Sequence, residues 1–167
     1  VMGDSNLGVF VADQVIECLL DHLVPLADIL TPNQFELGLI ARNSSSSWSQ
    51  LELGASHVRA YRNASLIVTG CAFTDTPSNS LENVVFDGKQ PARLRAPRLP
   101  MVPVGTGGLY TGLLTANLAN GRPLMEAASD AAKVVHDVLQ STIATGEHEM
   151  QLAQNIGLLA SNVVDVA

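Results

Sequence analysis

The stretch Val104-Gly105-Thr106-Gly107-Gly108-Leu109-Tyr110-Thr111-Gly112-Leu113-Leu114 is a small-residue turn that runs straight into an apolar helix. Gly105, Gly107 and Gly108 let the backbone bend sharply and leave its N–H groups uncovered. The helix that follows adds its own unpaired N–H groups and the positive end of its dipole. Together they form an anion cradle, for which phosphate is the usual occupant. The same residues also fit a glycine turn that only caps a packed helix, because short glycine motifs have low specificity.

Upstream of the turn, Leu66-Ile67-Val68-Thr69 is a β-branched run of the kind found in buried parallel strands, ended by Gly70. The Thr69 hydroxyl and the bare Gly70 backbone can face a nucleotide phosphate at the strand's end, or simply turn the chain. Residues 13–23 read as a helix, with Asp13 as cap and Val15, Ile16, Leu19, Leu20 and Leu23 as its apolar stripe. Residues 24–30 form a connection and a short buried strand that must stop at Thr31-Pro32. Asn33 then fits an N-cap with Glu36 at the third helical position, close to a capping box. Glu36 therefore has a structural reading beside its reading as an oxygen ligand for a hard cation.

Residues 44–47, four serines, read as a loop with too little apolar surface to pack. A helix from Trp48 follows, with Ser49 as its cap. Asn83-Val84-Val85-Phe86 runs into Asp87-Gly88, a two-residue hairpin signal. Lys89, Arg93, Arg95 and Arg98 gather positive charge in one short stretch, read as a solvated strand face or loop, or as a source of one phosphate contact on closure. Downstream, a buried helix over 109–118 ends at Asn120-Gly121-Arg122-Pro123, with proline at the start of the next helix. That helix, over 124–145, turns Ala127, Ala131, Val134, Val135, Val138 and Leu139 inward. Strands alternating with helices predict an α/β fold, a doubly wound and mostly parallel sheet flanked by helices, with the cradle at its C-terminal edge. One domain over 1–167 is expected from the length.

Sixteen acidic against nine basic residues leave a net charge of −7, which argues against general nucleic-acid binding. No apolar run long enough to span a membrane is present, and no signal peptide is visible, so a cytoplasmic protein is expected. Cys18 and Cys71 read as two buried thiols of a reducing compartment. Glu147-His148-Glu149 is a charged break, and His22, His57 and His136 stand singly, so no histidine metal site is expected.

Val1-Met2-Gly3-Asp4, Leu30-Thr31-Pro32-Asn33-Gln34-Phe35-Glu36, Ile67-Val68-Thr69-Gly70 and the glycine turn follow one another in an order that resembles pyridoxal kinases of the ribokinase-like superfamily. The most specific part is Val24-Pro25-Leu26-Ala27-Asp28-Ile29-Leu30-Thr31-Pro32-Asn33-Gln34-Phe35-Glu36, and the resemblance continues through Leu139 to the tail near Met150. It implies the C-terminal portion of a ribokinase-like fold, without the family's N-terminal part. It implies an ATP-dependent kinase of the 5′-hydroxyl of pyridoxal, pyridoxine or pyridoxamine in vitamin B6 salvage. Magnesium is the implied metal, and a monovalent cation is compatible.

By the same resemblance Asn33, Thr69, Gly70, Gly105, Thr106, Gly107 and Leu139 contact ATP, with Leu139 against adenine. Asp4, Thr31 and Glu36 serve the metal, and the amides at Gly105 and Gly107 stabilise the transferring phosphoryl group. The implied partners are ATP and a pyridoxal-type small molecule, with a homodimer for the full-length protein. The family reads Gly-Thr-Gly-Asp at the turn, and Gly108 stands where its catalytic base would be. Gly108 has no side chain to take the alcohol proton, so a catalytically impaired ATP-binding relative or fragment is the alternative.

Overall fold

The computed structural model describes residues 1–60, 64–101 and 104–163. The chain divides into two compact units, Val1–Arg95 and Ala96–Ala167.

The first unit opens with a small ribbon in which β1 (Gly3–Asp4) pairs antiparallel with β2 (Gly8–Val9). A side chain at Gly3 would begin 2.5 Å from the Gly8 carbonyl oxygen and 2.7 Å from Phe35 Cε1, so only glycine fits there. The expected helix over 13–23 is realised as α1 (Asp13–Cys18) followed by a π-helical turn, Leu19–Leu23. Ala12, not Asp13, is the N-cap. The apolar stripe is only partly used: Ile16, Leu19 and Leu20 pack on the core, while Val15 and Leu23 stay exposed.

β3 (Ile29–Leu30) pairs in parallel with β4 (Ser65–Cys71), and the crossover between them carries α2 (Gln34–Ala41) and α3 (Trp48–Arg59). Parallel pairing demands such a crossover. Ser47, not Ser49, caps α3, and with Gln50 it completes a capping box. The serine loop is also less open than its composition predicts. Ser45 is buried, its hydroxyl donates to the Gln34 carbonyl, and Gln34 Nε2 donates back to the Ser45 carbonyl at 2.6 Å.

β5 (Ser80–Phe86) runs antiparallel to β4, with Leu66 opposite Phe86 and Val68 opposite Val84. β6 (Ala92–Pro97) completes the order β3-β4-β5-β6. The sheet is therefore mixed. The expected parallel arrangement holds for β3 and β4, but the connection 72–79 is too short for a crossover helix, so the chain returns antiparallel. The strands on either side of Asp87-Gly88 are joined by residues 87–91, longer than a two-residue turn. Leu37, Leu51, Val58, Leu66, Val68 and Val84 are fully or almost fully buried and form the centre of the core.

The second unit holds α4 (Thr106–Ala119), α5 (Leu124–Thr145) and α6 (Ile156–Val163). α5 has the predicted bounds, and Ala127, Ala131, Val134 and Val138 are buried as the periodicity requires. Val135 and Leu139 are half-buried, and Pro123 is the N-cap, immediately before the first helical residue. α4 buries one face, Tyr110, Leu113, Leu114 and Asn117, and exposes Gly112 and Thr115, so it is less enclosed than its composition suggests. The Thr142 hydroxyl donates to the Val138 carbonyl at 2.8 Å and accepts the Gln151 N–H at 3.2 Å, fastening the chain after α5. Cys71 is buried as expected, but Cys18 is exposed. No helix among the described residues is long and apolar enough to cross a membrane.

Candidate functional site

In the second unit the glycine turn has the form the sequence predicts. Gly105 is the N-cap of α4 with φ 96°, a left-handed conformation that disfavours any side chain. A Cβ there would also lie 3.1 Å from Met150 Cε. The first bond into the helix runs from the Leu109 N–H to the Gly105 carbonyl at 3.0 Å. The N–H groups of Thr106, Gly107 and Gly108 precede it, and no side chain caps them. Gly107 and Gly108 are exposed, and a Cβ at either would meet nothing within 4 Å. The result is a row of amides at the open, positive end of a 14-residue helix. Gly108 contributes an amide only. Leu139 lies on α5 as a half-buried apolar side chain.

In the first unit the predicted binding residues are largely bound to one another. The Asn33 side chain accepts the Glu36 N–H at 2.8 Å and donates to the Gly3 carbonyl at 2.8 Å. The Glu36 carboxylate is buried, with Oε1 accepting the Met2 N–H at 2.6 Å and Oε2 accepting the Asn33 N–H at 3.0 Å. This motif ties β1 to the start of α2. Asp4 Oδ1 accepts the N–H groups of Asn6 and Leu7 at 2.8 and 2.7 Å, so it caps the β1–β2 turn. Thr31 is half-buried where β3 ends.

Both amides at the β4 strand end are also engaged. The Thr69 N–H donates to the Pro32 carbonyl at 2.9 Å and the Gly70 N–H to Asn83 Oδ1 at 3.1 Å. The Thr69 hydroxyl also donates to the Pro32 carbonyl, at 3.5 Å. The bare face of Gly70 remains for a ligand, and Gly70 is exposed with φ 66°.

These contacts decide what Glu36→Gln does. Both carboxylate oxygens accept N–H donors, so a glutamine must turn its own NH2 toward one of them. The variant is expected to lose about 2 kcal/mol of stability, the cost of an unsatisfied buried donor. Urea denaturation measures it, and an unchanged midpoint would show that the Met2 or Asn33 contact is dispensable.

Among the described residues no three His, Cys, Asp or Glu side chains gather as a ready-made metal cage. Magnesium usually keeps several waters and binds through one or two carboxylates plus substrate phosphates. Glu36 is buried and each of its oxygens already accepts an N–H, so only its remaining lone pairs are left for a water on such an ion.

The basic stretch is not a free solvated face. Arg93 Nε donates to Glu82 Oε2, and Arg95 donates to Glu82 Oε1 from Nε at 3.2 Å and from Nη2 at 3.1 Å. The Glu82 side chain is fully buried. Burial pushes its carboxyl up, and the hydrogen bonds and charges of Arg93 and Arg95 outweigh that, holding it below its ordinary value. Arg93 also grips Asp75 with two bonds, at 2.7 and 3.0 Å, and that contact holds the exposed Asp75 carboxyl low. Burial first, and then the Glu82 charge, push the nearby Cys71 thiol up to about 12, so it stays protonated and unreactive. Sequence reading missed Glu82. Its one local signal is an alternation that puts it on the same strand face as Val84 and Phe86.

The chain thus combines a β-α-β crossover, extended by an antiparallel strand, with a glycine-capped helix whose first amides no side chain caps. The sequence model of the phosphomethylpyrimidine kinase family matches residues 1–153, across both units, and the chain belongs to that family. It is 32% identical over 155 residues to "Pyridoxal kinase PdxY" of Leifsonia xyli subsp. xyli, covering 93% of this chain and 55% of that protein. The crystal structure of pyridoxal kinase from Entamoeba histolytica superposes with a TM-score of 0.86 at 21% identity, over 97% of this chain and 57% of that one. The pyridoxal kinase from Leishmania donovani in complex with ADP and pyridoxine gives a TM-score of 0.83 at 21% identity, over 95% and 55%. The chain thus spans about half the length of the relatives it matches.

Proposed function

We propose that the chain is the nucleotide-holding part of a pyridoxal kinase, which transfers the γ-phosphate of ATP to the 5′-hydroxyl of pyridoxal, pyridoxine or pyridoxamine. The observation that carries the nucleotide reading is the uncapped first turn of α4, with left-handed Gly105 and exposed Gly107 and Gly108. Phosphoryl transfer depends on alignment and charge neutralisation more than on covalent chemistry. The amides of residues 105–108 supply donors for the transferring group. Leu139 offers an apolar surface for adenine. Gly70 offers an unobstructed backbone face, Thr69 a hydroxyl that would turn from the Pro32 carbonyl to a phosphate, and Asn33 positions the motif that carries Glu36. Magnesium, when bound, neutralises phosphate charge, with Glu36, Asp4 and Thr31 as the oxygen groups toward it. A monovalent cation, a single ribokinase-like domain spanning both units, a homodimeric full-length enzyme and a cytoplasmic location belong to the same proposal.

Gly108 favours a second reading, an ATP-binding relative with impaired turnover, because the position of the family's base carries no side chain.

Calorimetric titration with ATP–Mg tests the nucleotide reading. Gly107→Val places a branched side chain among the amides, and its Cβ meets nothing within 4 Å outside the helix's own backbone. Stability should therefore change little while phosphate access is blocked. Losing hydrogen bonds to a charged group costs about 1.5–3 kcal/mol, which is about tenfold or more in Kd. Equal affinity in the variant and the parent would remove the cradle from the mechanism.

A further inference from the structure

Resting on the nucleotide reading above, we propose that Arg93 is a positioning residue for the strand end Thr69-Gly70, acting through the turn at residues 73–76. The β4–β5 ladder breaks register between Val68 and Cys71, so regular pairing does not hold Thr69 and Gly70. Such bulges re-aim a strand end and need fixing from outside the ladder. Side chains and backbone from other elements do the fixing. Pro32 takes the Thr69 N–H, Asn83 takes the Gly70 N–H, and Gln34 Oε1 takes the Ala72 N–H at 3.2 Å. The turn then closes on itself, the Phe73 N–H donating to Thr76 Oγ1 at 3.0 Å.

Arg93 clamps that turn to the sheet. Its guanidinium holds Asp75 bidentately, donates to Thr76 Oγ1 at 3.3 Å, and lies 5.1 Å from the Phe73 ring and 5.3 Å from the Trp48 ring. The two rings meet edge to face at 5.6 Å. On the other side the guanidinium is anchored by buried Glu82. Only a planar fork serves all these contacts at once, so lysine is no substitute. Asp75 is 64% exposed at its side chain, and exposed ion pairs contribute little to stability. Positioning and folding can therefore be separated at Asp75.

The test is ATP–Mg titration by calorimetry on the wild-type chain and on Asp75→Ala, Asp75→Glu and Arg93→Met. The protein has one tryptophan, Trp48, under the Arg93 guanidinium, so its fluorescence reads whether the clamp has opened. Asp75→Ala should change Trp48 emission and raise Kd about tenfold, within the range of coupling through packed networks, with an unfolding midpoint near wild type. Asp75→Glu should restore affinity, and Arg93→Met, assayed where circular dichroism shows it folded, should weaken binding at least as much as Asp75→Ala. Wild-type Kd in Asp75→Ala, or a loss that Asp75→Glu does not restore, overturns the positioning role. Absence of ATP–Mg binding by the wild-type chain instead removes the nucleotide reading, and the positioning role with it.

Discussion

Gly108→Asp, placed in a protein of the relatives' full length that carries this sequence, is expected to raise pyridoxal 5′-phosphate formation by about 10²-fold or more, the contribution of a general base. The fold accepts the change. Gly108 is exposed, has no left-handed φ, and a Cβ there meets nothing within 4 Å. It lies in the first turn of α4, where the helix dipole favours an ionised carboxylate. Thr106 and Tyr110 flank the position, and neither is a base at neutral pH. Tyr110 is buried besides, its hydroxyl donating to the Ala128 carbonyl at 3.3 Å. The comparison is product formation by the parent and the variant at saturating ATP. Equal, robust rates in both would show that another group takes the alcohol proton. A gain in rate with unchanged ATP affinity would assign the missing base to this position.

Arg93→Met should lower the unfolding free energy by about 3 kcal/mol, the scale of removing one partner from a buried charge pair. The variant leaves the Glu82 carboxylate fully buried with Arg95 as its remaining cation, and Arg95 is itself half-exposed. It also strips the cation from the faces of Trp48 and Phe73. Urea denaturation followed by far-UV circular dichroism gives the number. The pH dependence identifies the cause. In the wild type Glu82 is held below its ordinary value of 4.5, so its pairing stabilises the fold above that value and is lost as pH falls through the lowered one. With Arg93 gone, burial raises that carboxyl, and a protonated Glu82 no longer needs a cation. The deficit of the variant should thus be largest near neutral pH and shrink in acid. A deficit of constant size across that range would mean that lost ring packing, not the buried charge, accounts for it.

The parts legible in the sequence are those with local causes. The bounds of α5 follow from a repeat of small and branched residues between Pro123 and Gly146. The start of α2 follows from Asn33 and Glu36, three residues apart, whose mutual hydrogen bonds form within one turn. The left-handed Gly105 followed by a helix follows from a glycine turn running into apolar residues. The order of motifs likewise sufficed for the kinase family, because each motif is read within a few residues.

Only the tertiary structure decided the partners that lie far apart along the chain. Glu36 looks like a free carboxylate with a capping role until the Met2 N–H, 34 residues away, takes its second oxygen. Gly70 looks like an open amide until Asn83 takes it, because the β4–β5 register slips just there. Arg93 and Arg95 look like solvent charges until β5 turns Glu82 inward beneath them. The sequence by itself determined the start of α2, the bounds of α5, the glycine turn that opens α4 and the family. The sheet's change from parallel to antiparallel, and the use of predicted ligand groups as structural ties, came from pairings whose entropic cost is met only once the core has closed.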